Sequence, residues 1–264
     1  AVEAFRCRYV VPAAVEVLHV VYGETQSPID SWRFDDLLAA QIPLLFPAAS
    51  VNGLSPVFLL QYVTAGSGEA ADNGGLRIDE NALRTTLRFY ERASDEGLIT
   101  PTVLEYDLPS RYPDALAGDI PVVITSSMYM QAVDQGLTLN RGYIPTLTGE
   151  PSTMLDGWVW VITSTSTEQQ TAALRFLNWM LDAERQSTYA NAIHMLPALR
   201  ASQRQIDGDY AAFIESLLET VVLPLPENTG TLTARTLQNA YAAVINGQST
   251  TADAVTSVLA QVGS

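Results

Sequence analysis

Apolar residues recur with two different periods along this chain, and the alternation between them sets the expected fold class. Residues 9–22 (YVVPAAVEVLHVVY) hold two valine-rich runs on either side of Glu16, which predicts a buried strand with one polar interruption. SPIDSWRFDDLLAA then predicts a short helix capped by Asp30 or Ser31, with acidic residues in its first turn. An apolar helix is expected from Ser55 to Val63, followed by the glycine-rich loop AGSGEAADNGG at 65–75. Asp79 caps the next helix, in which Leu83, Leu87 and Tyr90 share one face and which Gly97 and Pro101 end.

RYPDALAGD predicts another short helix, and IPVVITSS a strand whose continuous apolar run suits a sheet covered on both faces. From Asp156, GWVWVITSTS predicts a strand and a Ser/Thr-rich turn. Ser166 then starts a helix with Ala173, Phe176, Leu177 and Met180 on one side. Beyond Arg200 only helices are expected, at about 208–220, 232–246 and 251–262, with VVLPLPENTG linking the first two. Strands alternating with helices imply an α/β architecture.

Composition narrows the partners. The 264 residues are 47% hydrophobic, enough for a substantial core, and 16% charged. With 14 Lys and Arg against 29 Asp and Glu, the formal net charge is -15, a field that repels nucleic acid and anionic lipid. The single cysteine, Cys7, excludes an intramolecular disulfide, and the residues before it are neither a lipoprotein motif nor an export leader. Pro12, Glu16 and His19 break the stretch from Tyr9 to Tyr22, so it is not expected to span a membrane.

Motifs for catalysis are missing. His19 and His194 have no ligand at metal-binding spacing, and HExxH, CxxC and EF-hand patterns are absent. Ser55 and Ser67 do not sit in a nucleophile elbow, and the glycines at 66, 68, 74 and 75 lack the spacing and lysine of a phosphate loop. No metal, cofactor or enzymatic activity is expected. Among so many acidic residues no single pair is marked out for glycoside hydrolysis.

Six segments, in order, resemble the extracellular solute-binding proteins typified by maltose-binding protein. YVVPAAVEVLHVVYG is similar to that family's Pro-x-Ala-Val-Glu-x-Leu stretch, with Gly23 in place of an asparagine. DSWRFDDLLAA resembles its Thr-Trp-acidic helix start, and DALAGDIPVVITSSMYM its helix end, buried strand and ligand-touching turn. DGWVWVITSTSTEQQTAALRFLNWMLDAERQSTYA resembles the return strand and following helix, through Gln170, Ala172, Ala173, Phe176 and Leu177. HMLPALRAS and AVINGQSTTADAVTSVL are similar to a Leu-Pro turn and the closing helix pair.

The resemblance implies a type II periplasmic-binding-protein-like fold, two α/β lobes closing about a hinge. Residues 9–145 and 198–264 would form lobe two, and 146–197 would visit lobe one. The family's crossover stretch stands at the very front here, so the earlier part of lobe one would be missing. Apolar surface around Trp158 to Val161 would then lie bare unless a companion N-terminal fragment or a dimer covered it.

The implied function is extracellular or periplasmic capture of a small polar solute, a carbohydrate, for an ABC transporter permease, with a lipoprotein anchor in a longer precursor. A polyamine, polyol or peptide on the same fold is the alternative, and a carboxylate-dependent glycoside hydrolase the weakest reading. By the same resemblance the ligand would be held by Glu16, by Ser126, Ser127, Met128 and Tyr129, by Asp156 and Trp158, and by Tyr62, Arg235 and Tyr241. Met128 and Leu237 stand where the family places stacking aromatics.

Overall fold

The computed structural model describes residues 10–23, 29–49, 53–66, 76, 78–105, 120–203, 206, 208–223 and 231–262. Cys7, Ser67, most of the glycine-rich loop, the helix expected in RYPDALAGD and most of the 221–230 linker lie outside the described residues.

Strand β1 (Val10–Gly23) organises everything else. Six valines along its length favour the extended backbone, because branching at Cβ fits a pleated surface. The helices α1 (Phe34–Ala39), α2 (Pro56–Ala65) and α3 (Glu80–Asp95) follow. After them come β2 (Val122–Thr125), α4 (Ser126–Asp134), β3 (Leu139–Gly142) and β4 (Thr153–Val161). The rest comprises α5 (Thr167–Met180), α6 (Ala183–Ala192), β5 (Leu196–Pro197), α7 (Arg200–Gln203), α8 (Gly208–Leu218), β6 (Val221–Val222), α9 (Thr231–Ile245) and α10 (Thr251–Val262).

β1 changes neighbours halfway along. Its first half pairs antiparallel with β4, from Val10 opposite Val161 to Val17 opposite Leu155, and with β5 at Ala14 and Val15. Its second half pairs antiparallel with β2 and β3. Pro12 cannot donate to a ladder, and the register shifts between Pro12 and Ala14. Beyond Leu155, β4 leaves β1 and runs parallel to β6 through Thr153 and Met154.

At that fork a side chain replaces the ladder. The Leu18 N–H donates to Thr153 Oγ1 at 3.0 Å, and the same hydroxyl donates to the Leu18 carbonyl at 2.7 Å. On the other side of β1 the Val17 N–H donates to Ser126 Oγ at 3.2 Å. Both hydroxyls are buried, and both amides would otherwise be orphaned.

Alternate residues of β1 serve two cores. Leu18, Val20 and Tyr22 pack with α1, α2, α3, α9 and α10, whereas Val15, Val17 and Val21 pack with Tyr129 of α4 and Tyr210, Ile214 and Leu217 of α8. Helices thus cover both faces, which is why β1 and β2 read as near-continuous apolar runs. α3 buries Leu83, Leu87 and Tyr90 as expected, and its cap Asp79 accepts from the Ala82 N–H at 3.0 Å. α2 begins with Ser55 accepting from Phe58 N–H and with Pro56 at its first position.

Four expectations need correction. α1 starts at Phe34 after Arg33, with no side-chain cap; Ser31 Oγ instead donates to Asp36 at 2.6 Å. The Ser126–Tyr129 segment is the first turn of a helix and not an open turn. The C-terminal region is not purely helical, because β6 lies between α8 and α9. On α5, Leu177 and Met180 are buried but Phe176 is 49% exposed. Phe176 joins Trp158, Val161, Leu174 and Trp179 in being more than a third exposed.

Thr153→Val keeps the shape of the side chain and removes both hydrogen bonds at the fork. It should lower unfolding stability by about 1–3 kcal/mol in urea denaturation. An unchanged midpoint would show that the fork is satisfied some other way.

Candidate functional site

Glu16 is the only charged residue of β1, half-buried one position before the fork. It is held there by α4. Ser127, in the first turn, donates its hydroxyl to Glu16 Oε1 at 2.5 Å, and Thr125 caps the helix by accepting from the Met128 N–H at 3.3 Å. The carboxylate therefore meets the electropositive end of a helix whose first turn Ser126 ties to β1.

Across the ladder Glu16 stands directly opposite Asp156, and Ala14 stands opposite Trp158. Residues two apart on a strand share a face, so Glu16, Asp156 and Trp158 present one surface. Asp156 is exposed and accepts from the Gly157 N–H at 2.7 Å. Gly157 has to be glycine, since a Cβ would come within 2.5 Å of the Ala14 carbonyl oxygen. Trp158 is 69% exposed, a large fraction for an indole.

Behind this surface lies an aromatic cluster. Tyr129 and Tyr210 meet with ring centroids 4.4 Å apart, and His19 sits edge-on to both, at 5.4 and 5.9 Å, and to Phe213 at 5.3 Å. Arg141 of β3 lies over the rings of Tyr129, Tyr210 and Phe213 at 5.6–5.8 Å and donates to the Tyr129 hydroxyl at 3.3 Å.

His19 is fully buried, and burial pushes its pKa down to about 4; the Arg141 charge acts in the same direction. It is neutral at pH 7, which fixes its tautomer. Nδ1 lies 3.2 Å from the Val20 carbonyl, which can only accept, so Nδ1 carries the proton and Nε2 accepts from the Tyr210 hydroxyl at 3.2 Å. Burial raises the Tyr210 phenol well above its usual value, so it keeps the proton that it donates.

Seven of the ten expected ligand residues are brought to this region: Glu16, Ser126, Ser127, Met128, Tyr129, Asp156 and Trp158. Ser126 is wholly buried and engaged with Val17, and the half-buried Met128 packs toward the second core. Three residues lie elsewhere. Tyr62 is a core residue of α2, stacked on Phe58, with its hydroxyl accepting from the Asp79 N–H at 2.6 Å. Tyr241 is a core residue of α9 packed on Phe58 and Tyr90, each 4.7 Å away. Arg235 is on the exposed side of α9, opposite the face through which Ala234, Leu237 and Tyr241 join the core.

Sequence reasoning missed Arg141, Tyr210 and the aromatic contacts of His19. Tyr210, Phe213, Ile214 and Leu217 recur at helical spacing, so that face was there to be found, whereas LNRG carries no strand pattern. Among the described residues no group of three or more His, Cys, Asp and Glu could hold a metal ion, and no helix is long and apolar enough to cross a membrane.

The profile of a family described as bacterial extracellular solute-binding proteins matches residues 27–214, more than half the chain. No curated protein sequence matches. Solved structures give the fold. Maltose-bound MalE3 of T. maritima is 16% identical with a TM-score of 0.73, over 97% of this chain and 72% of that one. The cyclic alpha-maltosyl-1,6-maltose binding protein of Arthrobacter globiformis is 19% identical with a TM-score of 0.73, over 97% and 71%. The GacH receptor of Streptomyces glaucescens, solved unliganded and with acarbose, is 15% identical with a TM-score of 0.68, over 97% and 71%. The architecture is therefore that of type II periplasmic binding proteins, as the resemblance implied.

The buried histidine makes stability depend on pH. Below about 6.5 the unfolded chain takes up a proton that the folded ring refuses until about 4, so stability is full above that window and falls as pH drops through it. Between about pH 7 and about pH 5 this ring alone should cost the wild type about 2 kcal/mol. His19→Phe, compared by urea denaturation at the two pH values, should lose that part of the difference; an equal difference in both proteins would show that the imidazole titrates normally.

Proposed function

Because the chain belongs to the bacterial extracellular solute-binding proteins, we propose that it captures a small polar solute, a carbohydrate, outside the cell membrane and hands it to the permease of an ABC importer. Family and structural neighbours are binding proteins and not enzymes. The surface formed by Glu16, Ser127, Asp156 and Trp158 carries this reading. Carboxylates accept from sugar hydroxyls, and an exposed indole offers a flat face to the C–H side of a sugar ring.

Two further observations support it. Glu16 sits where β1 exchanges one set of neighbours for another, as a cleft residue between two lobes would. On that reading residues 9–145 and 198–264 form lobe two and 146–197 reach into lobe one, with β1 and β4 as the crossing strands and the fork at Thr153 as the point of flexure. The structural neighbours were solved with, or are named for, maltose, a maltosyl-maltose and acarbose, all of them carbohydrates.

A sugar present at about 100 times its dissociation constant should stabilise the protein by about 2.7 kcal/mol, readable as a rise in Tm. Glu16→Gln, which halves the acceptor capacity and removes the charge, should weaken the same sugar by about 10-fold or more. A broad panel of mono- and oligosaccharides that leaves Tm unmoved would end the carbohydrate reading.

One observation favours a second solute class. Glu16 and Asp156 face each other across a ladder, an arrangement that also suits a polyamine. Affinity for a cation should collapse between low salt and roughly 0.5 M salt, whereas a neutral sugar should bind equally at both.

A further inference from the structure

The aromatic cluster behind Glu16 opens on its far side into a cavity of about 650 Å³, bounded by α4, β3, the end of α6 and the start of α8. That volume falls in the range of small-molecule sites. Tyr129 and Tyr210 line this space, and Arg141 is the only cation that lines it among the described residues.

Arg141 is unusual in what it lacks. Its guanidinium is positioned over three rings and spends one donor on the Tyr129 hydroxyl, yet among the described residues no carboxylate pairs with it. Among the described residues the charge of this half-buried guanidinium is thus met by ring faces and one hydroxyl only. A guanidinium has five N–H donors in a planar fork matched to a carboxylate, and stacking on the rings fixes the plane of that fork.

We infer that this cavity takes a solute carrying a single carboxylate, a uronic-acid saccharide, with the carboxylate on Arg141. The inference rests on the carbohydrate reading above and goes beyond it to a space whose lining shares no residue with the Glu16 surface. The remaining polar lining suits the hydroxyls of the same ring. Asn191 can donate and accept, Asp209 accepts, and Asp134 accepts while also engaged with His194 Nε2 at 2.9 Å. The same two carboxylates weigh against a phosphate more than against a carboxylate, because a dianion would add nearly twice the repulsion for the same single guanidinium. His19, kept neutral by burial, adds no second positive charge.

The test is calorimetric titration of the whole chain with matched pairs: glucose and glucuronate, galactose and galacturonate, mannose and mannuronate, with glucuronamide as an uncharged analogue of one acid. At least one uronate should bind about 10- to 100-fold more tightly than its neutral partner, and the amide should lose that advantage. Arg141→Gln should abolish the preference, so that uronate and neutral partner bind alike, and Arg141→Lys, which keeps the charge but not the fork, should retain part of it. Melting curves of both variants establish that they fold, and the amide comparison needs no variant at all. Neutral sugars binding as well as or better than their uronates would overturn the inference and leave the carbohydrate reading standing. Failure of every sugar, neutral or acidic, would remove both. Sugar phosphates outcompeting uronates would assign the cavity to a dianion and also overturn it.

Discussion

The structure depends on how two consecutive amides of β1 are satisfied where the strand changes partners. At Val17 the N–H turns toward α4 and is met by Ser126, and at Leu18 it turns toward β4 and is met by Thr153. A strand that exchanges one pair of neighbours for another must pass through a point where neither ladder is complete, and a bare amide there would cost as much as a lost hydrogen bond. Hydroxyls solve this because one oxygen both accepts and donates, as Thr153 does toward the N–H and the carbonyl of Leu18. A side-chain bond also tolerates small rotations better than a rigid ladder does. Glu16 is the residue immediately before this point, so the surface it shares with Asp156 and Trp158 sits where the two halves of the sheet meet.

The same geometry explains the division of labour on the two faces of β1. Even-numbered residues beyond the fork enter a large helical core whose largest fully buried side chains include Phe46, Phe58, Tyr90 and Tyr241. That core is built for rigidity: Gln61 Nε2 donates to the Pro145 carbonyl at 2.9 Å, and the Tyr90 hydroxyl donates to Gln61 Oε1. The odd-numbered face is smaller and more polar. There His19, Tyr129, Tyr210 and Arg141 form a connected set in which a neutral imidazole accepts from a phenol and a guanidinium rests on the rings. Such networks favour one arrangement of their members, and this one lies between the Glu16 surface and the neighbouring cavity.

Much of this was legible in the sequence, and the parts that were not share a cause. Glu16 stood out as one charge inside a valine strand, and Leu83, Leu87 and Tyr90 announced the buried face of α3 by their spacing. α5 shows where periodicity misleads: Phe176 lies beside Leu177 in sequence, but only Leu177 and Met180 are buried, while Phe176 stays 49% exposed with its ring edge-on to Trp160 of β4. β5 and β6 are two residues each, too short for any period, and α4 was expected as a turn through the resemblance, whereas Thr125 caps a helix there. Tyr62 and Tyr241 entered the candidate site through resemblance alone, and burial on α2 and α9 separates them from Glu16. Arg141 was invisible because its role arises from three rings contributed by α4 and α8, 12 to 72 positions away in the chain.

Departures from ordinary sheet chemistry converge on one place. Like charges opposite each other on adjacent strands work against pairing by some tenths of a kcal/mol up to about 1 kcal/mol, yet Glu16 and Asp156 are such a pair. A large indole is usually covered, yet Trp158 is 69% exposed two residues further along. A glycine weakens a strand, yet Gly157 lies between them because only it lets β4 approach Ala14. Each feature alone has a local remedy, whether the Ser127 hydroxyl on Glu16 or the Gly157 amide on Asp156. Together they gather acceptor oxygens, a flat apolar face and close backbone approach on a few residues of two paired strands. Stability by itself would favour valine at most of these positions, and on the proposed reading what holds them there is recognition of a solute that is both polar and flat.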